Sequence, residues 1–345
     1  MRVIFLETEP PEQEFFGAEL EEAQFADEPS DVPENAEIVS IFIHTKIDGA
    51  FLDAHPKLRL VTTRSTGVDH IDLAECARRK VTVSYVPSYG ENTVAEHTFA
   101  LMLALSRRLR SSLDAGRKKP VSFESIRAFD LKGKTLGVIG AGRVGLQVIR
   151  IARGFGMDVV ALDPQQQPFL AEVLGFHYVP LDELLRASHI ITLHVPLRPE
   201  THHLLNRENL AKCRPGVVVI NTSRGAVIDT KAFIEALESG HVGGAGLDVL
   251  EDERVMQQEH SDIIGDQIIS NLQNRSPHES HRLHPERVQE LQALMQNSQL
   301  LARPNVVFTP HAAFNSVEAV ERINRTTLEN IVRFIEGTPV NLVPM

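Results

Sequence analysis

The chain has 345 residues, 42% hydrophobic and 23% charged, close to the averages of soluble globular proteins, so the composition disfavours fibrous, disordered and membrane classes. Its 35 Lys and Arg against 46 Asp and Glu residues give a formal net charge of −11, which repels nucleic acids and anionic membrane surfaces, so neither is an expected partner. Cys76 and Cys213 are too few for a disulfide framework, and we expect both to be reduced thiols in the core.

The length predicts two domains, and the first part of the chain alternates short apolar runs with helical segments, as in a parallel sheet covered by helices. We predict strands at residues 3–6, 38–43, 58–63 and 81–86. Residues 93–109 are apolar at helical spacing and predict a long buried helix between two lobes. Because Glu7 and two prolines follow the first strand, we interpret the N-terminal residues as a strand rather than a signal peptide and expect a cytoplasmic protein.

A second βα series begins near residue 133, after a polar and basic stretch at 107–120 that marks a domain boundary. Its β-branched runs predict a second doubly wound sheet. The predicted strands are residues 159–162, 190–194, 217–221, 245–249 and 306–309.

Residues 140–145 (GAGRVG) follow a predicted strand and begin a predicted helix, the context in which a glycine pattern indicates a dinucleotide-binding turn. Gly140 allows a tight turn, Gly142 lets the backbone approach a pyrophosphate, and Gly145 permits close packing of helix on strand. The backbone N–H groups of Arg143 and Val144 then bind the phosphates at the positive end of the helix. A tight turn without a ligand is the alternative.

Asp163 ends the next predicted strand, at the spacing expected of a carboxylate that accepts hydrogen bonds from adenosine ribose hydroxyls. No Arg follows it at residues 164–167, and a 2′-phosphate would meet a like charge there. The sequence therefore predicts NAD rather than NADP as the cofactor.

Three further motifs lie at the ends of predicted strands, where ligands bind in open α/β sheets. They are residues 221–225 (NTSRG), 247–253 (LDVLEDE) and 309–313 (TPHAA). Together they supply an Arg, a Glu and a His, which can anchor a carboxylate, tune a proton donor and deliver a proton to a carbonyl oxygen. Each residue alone also has a structural interpretation, as an ion pair, a solvated loop carboxylate or a helix cap.

With these motifs the sequence resembles the D-isomer-specific 2-hydroxyacid dehydrogenase family over nearly its whole length, and most of all its NAD-dependent D-lactate dehydrogenases. The resemblance also rests on residues 65–72 (STGVDHID), 94–97 (VAEH) and 194–201 (HVPLRPET). It implies two doubly wound parallel-sheet α/β lobes with the active site in the cleft, and a homodimer. The lobes are a flavodoxin-like substrate domain of residues 1–100 and 314–345, and a Rossmann NAD-binding domain of residues 101–313.

On matching positions the resemblance implies that Arg224 grips the substrate carboxylate and carbonyl, that His311 is the acid/base, and that Glu253 orients and charges its imidazole. An Arg suits the first role because its guanidinium is always protonated and bonds two oxygens at once. Glu253 is preferred to Glu251 and Asp252 because of its spacing from the preceding LD motif, as in the family.

The resemblance assigns a second clasp on the carboxylate to the backbone around Thr66 and Gly67. Tyr89 and Phe314 match aromatic residues around a small substrate side chain and favour a methyl group, although both would also suit a buried core. Asp248 is implied to hold the nicotinamide carboxamide. Other cofactor contacts are implied at Val195, Pro196, Thr201, Thr222 and Ser223.

These residues predict an NAD-dependent oxidoreductase that transfers hydride between NADH and a small 2-keto acid, with pyruvate and D-lactate as the expected pair. One alternative is an enzyme for glyoxylate, hydroxypyruvate, 2-ketoisocaproate or phenylpyruvate. Another is an NAD-sensing scaffold like the corepressors that share this architecture. A formate dehydrogenase is disfavoured, because Gln would be expected where Glu253 stands.

The sequence departs from the family in an insertion at about 254–303. Loops of this length are either functional or disordered, and this one stands where a lid or a subunit contact could form. It contains a predicted amphipathic helix at 285–300. The apolar positions of this helix are Val288, Leu291, Leu294 and Met295. His278, His281 and His284 are evenly spaced, but flanking prolines interrupt a helix and no thiolate joins them, so we expect no metal site.

Overall fold

A computed structural model describes residues 1–116, 122–124, 126–253 and 285–344, with the backbone alone at 285–290. The chain divides into two compact units, one formed by Met1–Gly90 with Phe314–Met345 and the other by Glu91–Ala313. In the described part of the chain, no helix combines the length and the apolar character that crossing a bilayer requires.

The elements alternate along the chain. The strands are β1 (Val3–Leu6), β2 (Ala23–Ala26), β3 (Ile38–Ile41), β4 (Leu60–Thr63), β5 (Thr82–Ser84), β6 (Thr135–Ile139), β7 (Asp158–Leu162), β8 (His177–Tyr178), β9 (Ile190–Leu193), β10 (Val217–Asn221), β11 (Val242–Leu247) and β12 (Val306–Phe308). The α-helices are α1 (Pro10–Glu19), α2 (Gly49–Ala54), α3 (Leu73–Arg79), α4 (Glu91–Ser106), α5 (Leu109–Gly116), α6 (Arg143–Gly154), α7 (Pro168–Leu174), α8 (Leu181–Ala187), α9 (Arg207–Lys212), α10 (Thr230–Glu238), α11 (Pro285–Leu301) and α12 (Val317–Ile335).

The first unit is built on a parallel sheet in the order β2-β1-β3-β4-β5, the flavodoxin-like order. Successive side chains of a strand point to opposite faces, so each face has its own core. One face buries Ile4 and Leu6 of β1. The other face buries Phe5 of β1 against Phe16 of α1 and Ile331 of α12.

The second unit contains a parallel sheet in the order β12-β11-β10-β9-β6-β7-β8, a Rossmann order with an added edge strand. Strands β9 and β10 are buried along their whole length, as expected of strands covered by helices on both faces. The fold class predicted from the sequence, two parallel-sheet α/β units, is confirmed.

The register of the second sheet brings its strand ends together. Pairing joins Leu193 to Ile139 and to Asn221, and Leu247 to Asn221 and to Phe308. The residues that follow these five strands therefore emerge at one edge. This edge receives the glycine turn and the three motifs singled out in the sequence.

Helix α4 differs from the single helix predicted at 93–109. It ends at Ser106, and Arg108, with a φ of 48°, separates it from α5. Its side chains Ala95, Phe99 and Met102 are buried with the core of the second sheet. The N-terminal part of the first compact unit ends at Gly90, so the division between the two units falls at the start of α4.

The sequence did not predict strands β2 and β8, because both lack an apolar run. Strand β2 is only partly buried, and β8 has two residues; each lies at the edge of its sheet. Edge strands have one neighbour, so they need less apolar surface than central strands.

The apolar face of α11 was only partly predicted. Met295 is 73% exposed, whereas Leu300 and Asn297 are buried at 2% and 1%. The Asn297 side chain donates a hydrogen bond to the carbonyl of Glu251 (3.0 Å), so a polar residue fixes this face. The side chain of Val288, residues 254–284 and the three histidines at 278, 281 and 284 lie outside the described residues.

Both cysteines are free and buried. Burial raises the pKa of the Cys76 thiol to about 11 and that of Cys213 to about 12. At neutral pH both are therefore protonated and behave as small apolar side chains.

Leu300 and Met295 form a matched pair on one helix. We expect Leu300→Ala to lower the free energy of unfolding by about 2–5 kcal/mol, because it removes buried methyl groups and leaves a cavity. Met295→Ala, at an exposed position, should change it by less than about 0.5 kcal/mol. Urea unfolding followed by circular dichroism measures both, and equal losses would contradict this assignment of the buried face.

Candidate active site

The glycine turn between β6 and α6 is built as the sequence predicts. Gly140 has a φ of 97°, and a Cβ there would lie 2.5 Å from the carbonyl oxygen of His194. A Cβ on Gly145 would lie 2.0 Å from the carbonyl oxygen of Gly140, so the close approach of helix and turn requires glycine. Gly142 is the N-cap of α6 and has open space around its Cα. The open space lies beside the first N–H groups of α6, at Arg143 and Val144, which favour a pyrophosphate.

Asp163 follows β7 and bonds back to the glycine turn. Its Oδ2 accepts a hydrogen bond from the N–H of Ala141 (2.8 Å), and its Oδ1 accepts one from Gln165 (2.7 Å). The carboxylate is thus fixed beside the turn with no basic side chain at residues 164–167. These residues fit a dinucleotide with free ribose hydroxyls.

Five further predicted cofactor residues follow β9 and β10. Thr201 closes the loop that contains Val195 and Pro196, because its hydroxyl donates to the carbonyl of Pro196 (2.6 Å). Thr222 lies 3.0 Å from the hydroxyl of Thr98 on α4, and Ser223 donates to Asn221 (2.9 Å). All of these residues lie at the sheet edge that carries the glycine turn.

His311 and Glu253 are brought together although 58 residues separate them. Nδ1 of His311 lies 2.7 Å from Oε1 of Glu253, and both side chains are about a quarter exposed or less, at 20% and 25%. The other carboxylate oxygen accepts a hydrogen bond from the N–H of Leu250 (3.3 Å). Because a carboxylate only accepts, Nδ1 carries the proton in this pair, and Nε2 is left to exchange a proton with a ligand.

Glu251, the neighbouring acid, has other partners. Its carboxylate lies 2.6 Å from His203 and accepts a hydrogen bond from the hydroxyl of Thr230 (2.8 Å). His202, His203 and Glu251 offer three atoms within 4.8 Å of one another that could hold a metal ion. Both oxygens of Glu251 already accept hydrogen bonds, so we interpret this group as a structural contact.

Arg224 lies in a turn that is ordered from within. The Asn221 side chain donates to the carbonyl of Arg224 (2.9 Å), and the guanidinium donates to the carbonyl of Ser223 (2.8 Å). The next residue, Gly225, packs so tightly that a Cβ would lie 1.9 Å from the carbonyl carbon of Leu250. The turn that carries Arg224 is therefore in direct contact with the loop that carries Glu253.

Asp248 joins these loops. It is 1% exposed, its N–H donates to Asn221 (2.9 Å), and its carbonyl accepts from the N–H of His311 (2.8 Å). Its carboxylate accepts from Ala312 (2.9 Å) and Ala313 (3.0 Å). This function toward the His311 turn was not foreseen in the sequence, which assigned Asp248 only to the nicotinamide carboxamide.

The charge of Asp248 is maintained by hydrogen bonds. Burial raises the pKa of its carboxyl group, but bonds from His97, Thr309 and the two alanine N–H groups outweigh this effect and hold the pKa below its usual range. The acid is therefore ionised at neutral pH.

His194, in contrast to Asp248, is uncharged. Burial lowers the pKa of its imidazole to about 3 and keeps it neutral.

Three of the predicted substrate residues, Thr66, Gly67 and Tyr89, lie in loops of the first unit that follow β4 and β5. The hydroxyl of Thr66 donates to the carbonyl of Val86 (2.8 Å), and that of Ser65 donates to the carbonyl of Gly67 (2.6 Å). These bonds hold the predicted carboxylate clasp to the segment that leads to Tyr89.

Phe314 contacts an aromatic residue that sequence reasoning missed. Its ring meets that of Phe42 edge to face, with centroids 5.0 Å apart. Phe42 begins a loop whose N–H groups at residues 42–45 all donate to the carboxylate of Glu7. Although burial raises the pKa of Glu7, these hydrogen bonds keep it below its usual range, so the loop is fixed by a charged acid.

Arg64 was also missed, although it directly precedes the predicted clasp. It is 1% exposed, and its guanidinium donates to the carbonyl of Leu6 (2.8 Å) and the hydroxyl of Ser40 (3.1 Å). It therefore ties the ends of β1 and β3 to the beginning of the clasp. A buried Arg cannot be recognised from sequence alone.

Comparisons with protein families and with known proteins find related dehydrogenases and reductases. Residues 99–313 match the model of the D-isomer specific 2-hydroxyacid dehydrogenase, NAD binding domain. A D-lactate dehydrogenase of Escherichia coli is 34% identical over 330 residues, which cover 94% of this chain and 92% of that protein. A glyoxylate reductase of Korarchaeum cryptofilum is 34% identical over 86% of this chain and 79% of its own.

Among solved structures, a D-lactate dehydrogenase from Aquifex aeolicus complexed with NAD and lactic acid has a TM-score of 0.83 to this chain. The two are 34% identical, and the match covers 98% of this chain and 96% of that one. The similarity therefore extends over both units.

The two glycines of the turn allow a matched test. We expect Gly142→Ala to weaken NADH binding about tenfold, or about 1.4 kcal/mol, because the added methyl keeps the pyrophosphate away from the backbone. The midpoint of thermal unfolding should change little, because the methyl meets no protein atom. Gly145→Ala should lower that midpoint, because its methyl meets backbone. NADH fluorescence titration and thermal melts measure both, and an unchanged affinity of Gly142→Ala would contradict the assignment.

Proposed function

Because this chain belongs to the D-isomer-specific 2-hydroxyacid dehydrogenase family and is an NAD-dependent enzyme of that family, we propose that it interconverts pyruvate and D-lactate. The observation that carries the proposal is the 2.7 Å pair of His311 and Glu253, on loops that adjoin the turn of Arg224. An acid/base and a fixed cation at one sheet edge fit the reduction of a 2-keto acid.

Arg224 binds the carboxylate of the substrate in this proposal. A guanidinium forms two parallel hydrogen bonds to a carboxylate, which orients the substrate as well as holding it. The internal bonds of the 221–225 turn keep the backbone of Arg224 in place, so less order has to be gained on binding.

His311 supplies the proton. The carboxylate of Glu253 stabilises the imidazolium through Nδ1, so Nε2 donates its proton to the keto oxygen as the alcohol forms. In the reverse direction the neutral imidazole accepts that proton. NADH, when bound, supplies the hydride that reduces the carbonyl carbon. The residues at the glycine turn, with Asp163, Thr201, Thr222 and Ser223, hold the dinucleotide.

We assign substrate recognition to the first unit. The backbone at Thr66 and Gly67 binds the substrate carboxylate, and the aromatic residues Tyr89, Phe314 and Phe42 select a small side chain. Edge-to-face contact between Phe42 and Phe314 leaves little freedom for either ring to move away from a larger group. Glyoxylate, which lacks even the methyl group, is the second candidate, supported by the similarity to a glyoxylate reductase.

We also propose a cytoplasmic homodimer formed through the second unit, without nucleic acid or membrane partners. Support comes from large apolar side chains of that unit that are exposed in the monomer. They include Leu113 at 68% and Phe123 at 81%. The net charge of −11 disfavours anionic partners.

A substrate panel tests the proposed pair. We expect pyruvate to give the highest kcat/KM for NADH oxidation among pyruvate, glyoxylate, hydroxypyruvate, 2-ketoisocaproate and phenylpyruvate, and chiral chromatography to identify the product as D-lactate. The aromatic residues should disfavour phenylpyruvate by steric conflict. A preference for phenylpyruvate would contradict the small pocket, and preference for glyoxylate would select the second candidate.

The pair of Glu253 and His311 can be tested by substitution of the acid. Glu253→Gln keeps the size of the side chain but removes the carboxylate that accepts from Nδ1 of His311, so it should lower kcat/KM for the keto acid. At neutral pH we expect a loss in kcat/KM of about tenfold or more.

Glu251→Gln is the matched control for that variant. Glu251 binds His203 and Thr230 instead of His311, so the kcat/KM of Glu251→Gln should match that of the unmodified enzyme. If Glu253→Gln keeps the original kcat/KM, or Glu251→Gln loses as much as Glu253→Gln, the assignment of Glu253 is wrong.

A further inference from the structure

A second histidine approaches the buried Asp248 from a different element. His97 lies on α4, and its Nε2 is 2.8 Å from the hydroxyl oxygen of Thr309 and 3.4 Å from Oδ1 of Asp248. The Thr309 hydroxyl donates to the same Oδ1 (2.5 Å). Helix α4 is thereby joined to the residues that follow β11 and β12.

The hydrogen-bond pattern fixes where the protons lie. A hydroxyl has one proton, and Thr309 gives it to the carboxylate of Asp248, which can only accept. His97 must then be the donor to Thr309, so its Nε2 carries a proton. The order His97, Thr309, Asp248 is a directed chain that ends on the buried acid.

The buried charge of Asp248 needs hydrogen-bond donors. A carboxylate that is 1% exposed is costly to bury unless its oxygens accept hydrogen bonds. The Thr309 hydroxyl supplies one of these bonds, and the Nε2–H of His97 fixes the direction in which that hydroxyl points. His97 therefore determines one of the bonds on which the buried acid depends.

Asp248 in turn determines the backbone around His311. It accepts hydrogen bonds from the N–H groups of Ala312 and Ala313 through its side chain, and from His311 through its carbonyl. His311 has a φ of 51°, in the left-handed region that a non-glycine residue adopts only when its surroundings require it. Any shift of the Asp248 carboxylate would release this turn.

We propose that His97 is a positioning residue, whose Nε2–H orients the Thr309 hydroxyl toward the carboxylate of Asp248 and so holds the His311 turn in its reactive geometry. This inference rests on the proposed role of His311 as the acid/base. His97 does not touch the substrate and transfers no proton to it. Its effect reaches the reaction through Thr309 and Asp248 alone.

The test uses the full-length enzyme and the 2-keto acid that it reduces best. We expect His97→Ala to lower kcat about tenfold, because small displacements of a catalytic group are expensive, while the KM for the keto acid changes less than threefold, since Arg224 is on another loop. His97→Gln retains an N–H donor for Thr309, so its kcat should exceed that of His97→Ala. The exposed His177→Gln serves as the control and should match the unmodified enzyme.

A double-mutant cycle tests whether His97 acts through Thr309. If it does, His97→Ala should have little further effect on kcat in a Thr309→Val background, where the linking hydroxyl is absent. Additive losses would overturn the proposal. So would a kcat of His97→Gln no higher than that of His97→Ala, or a lowered thermal midpoint of His97→Ala with kcat unchanged.

Failure of the proposed substrate is distinguishable from failure of this inference. The panel decides which keto acid is reduced, and every comparison with a His97 variant is a ratio on that same substrate. If His97→Ala does not fold, Thr309→Val carries the test. Thr309→Val removes the linking hydroxyl and should reduce kcat in the same direction, and an unchanged kcat would overturn the proposal.

Discussion

One buried carboxylate holds the loops at the edge of the second sheet that carries the glycine turn and the motifs of Arg224, Glu253 and His311. Asp248 is nearly inaccessible, yet its backbone and side chain bond to the ends of β10 and β12 and to the residues on both sides of His311. Parallel strands bring their carboxyl ends to one edge but do not by themselves order the loops that follow. A charged acid in the middle of these loops provides several strong, directed hydrogen bonds at once.

The first unit solves the same problem with a similar device. Glu7 follows β1 and accepts hydrogen bonds from four consecutive N–H groups at 42–45. Arg64 donates hydrogen bonds to residues near the ends of β1 and β3. In each unit, therefore, a side chain that takes no part in proton transfer shapes the loops proposed to bind ligands. Such residues are as sensitive to substitution as the reacting groups, because a buried charge without its partners is strongly unfavourable.

The features that could be predicted from the sequence are those that depend on residues close together in the chain. The glycine turn, the central strands and the motifs at strand ends depend on short-range patterns of glycine, β-branched and polar residues, and these were recognised with errors of a few residues at element ends. The short edge strands β2 and β8 were missed because they carry almost no apolar signal. On α11, burial of Asn297 in place of Met295 follows from a contact with the loop at Glu251, which helical periodicity does not reveal.

Contacts between residues far apart in the chain could not be predicted from the sequence. His97 and Thr309 are 212 positions apart, and Glu7 and residues 42–45 meet only because β1 and β3 are neighbours in the sheet. The choice of Glu253 over Glu251 came from a resemblance in spacing, and the physical reason is visible only in space. Two acids two residues apart on one turn face different histidines, His311 and His203.

The discontinuity of the first unit has a consequence for biosynthesis. Its sheet is complete at β5, but the core that contains Phe5, Ile38 and Leu60 includes Ile331 of α12, which the ribosome adds only after all of Glu91–Ala313. Since domains fold as units while the chain emerges, the cofactor unit can mature first, and the N-terminal sheet waits with one face uncovered. A nascent chain interrupted before α12 would therefore expose apolar surface and attract chaperones.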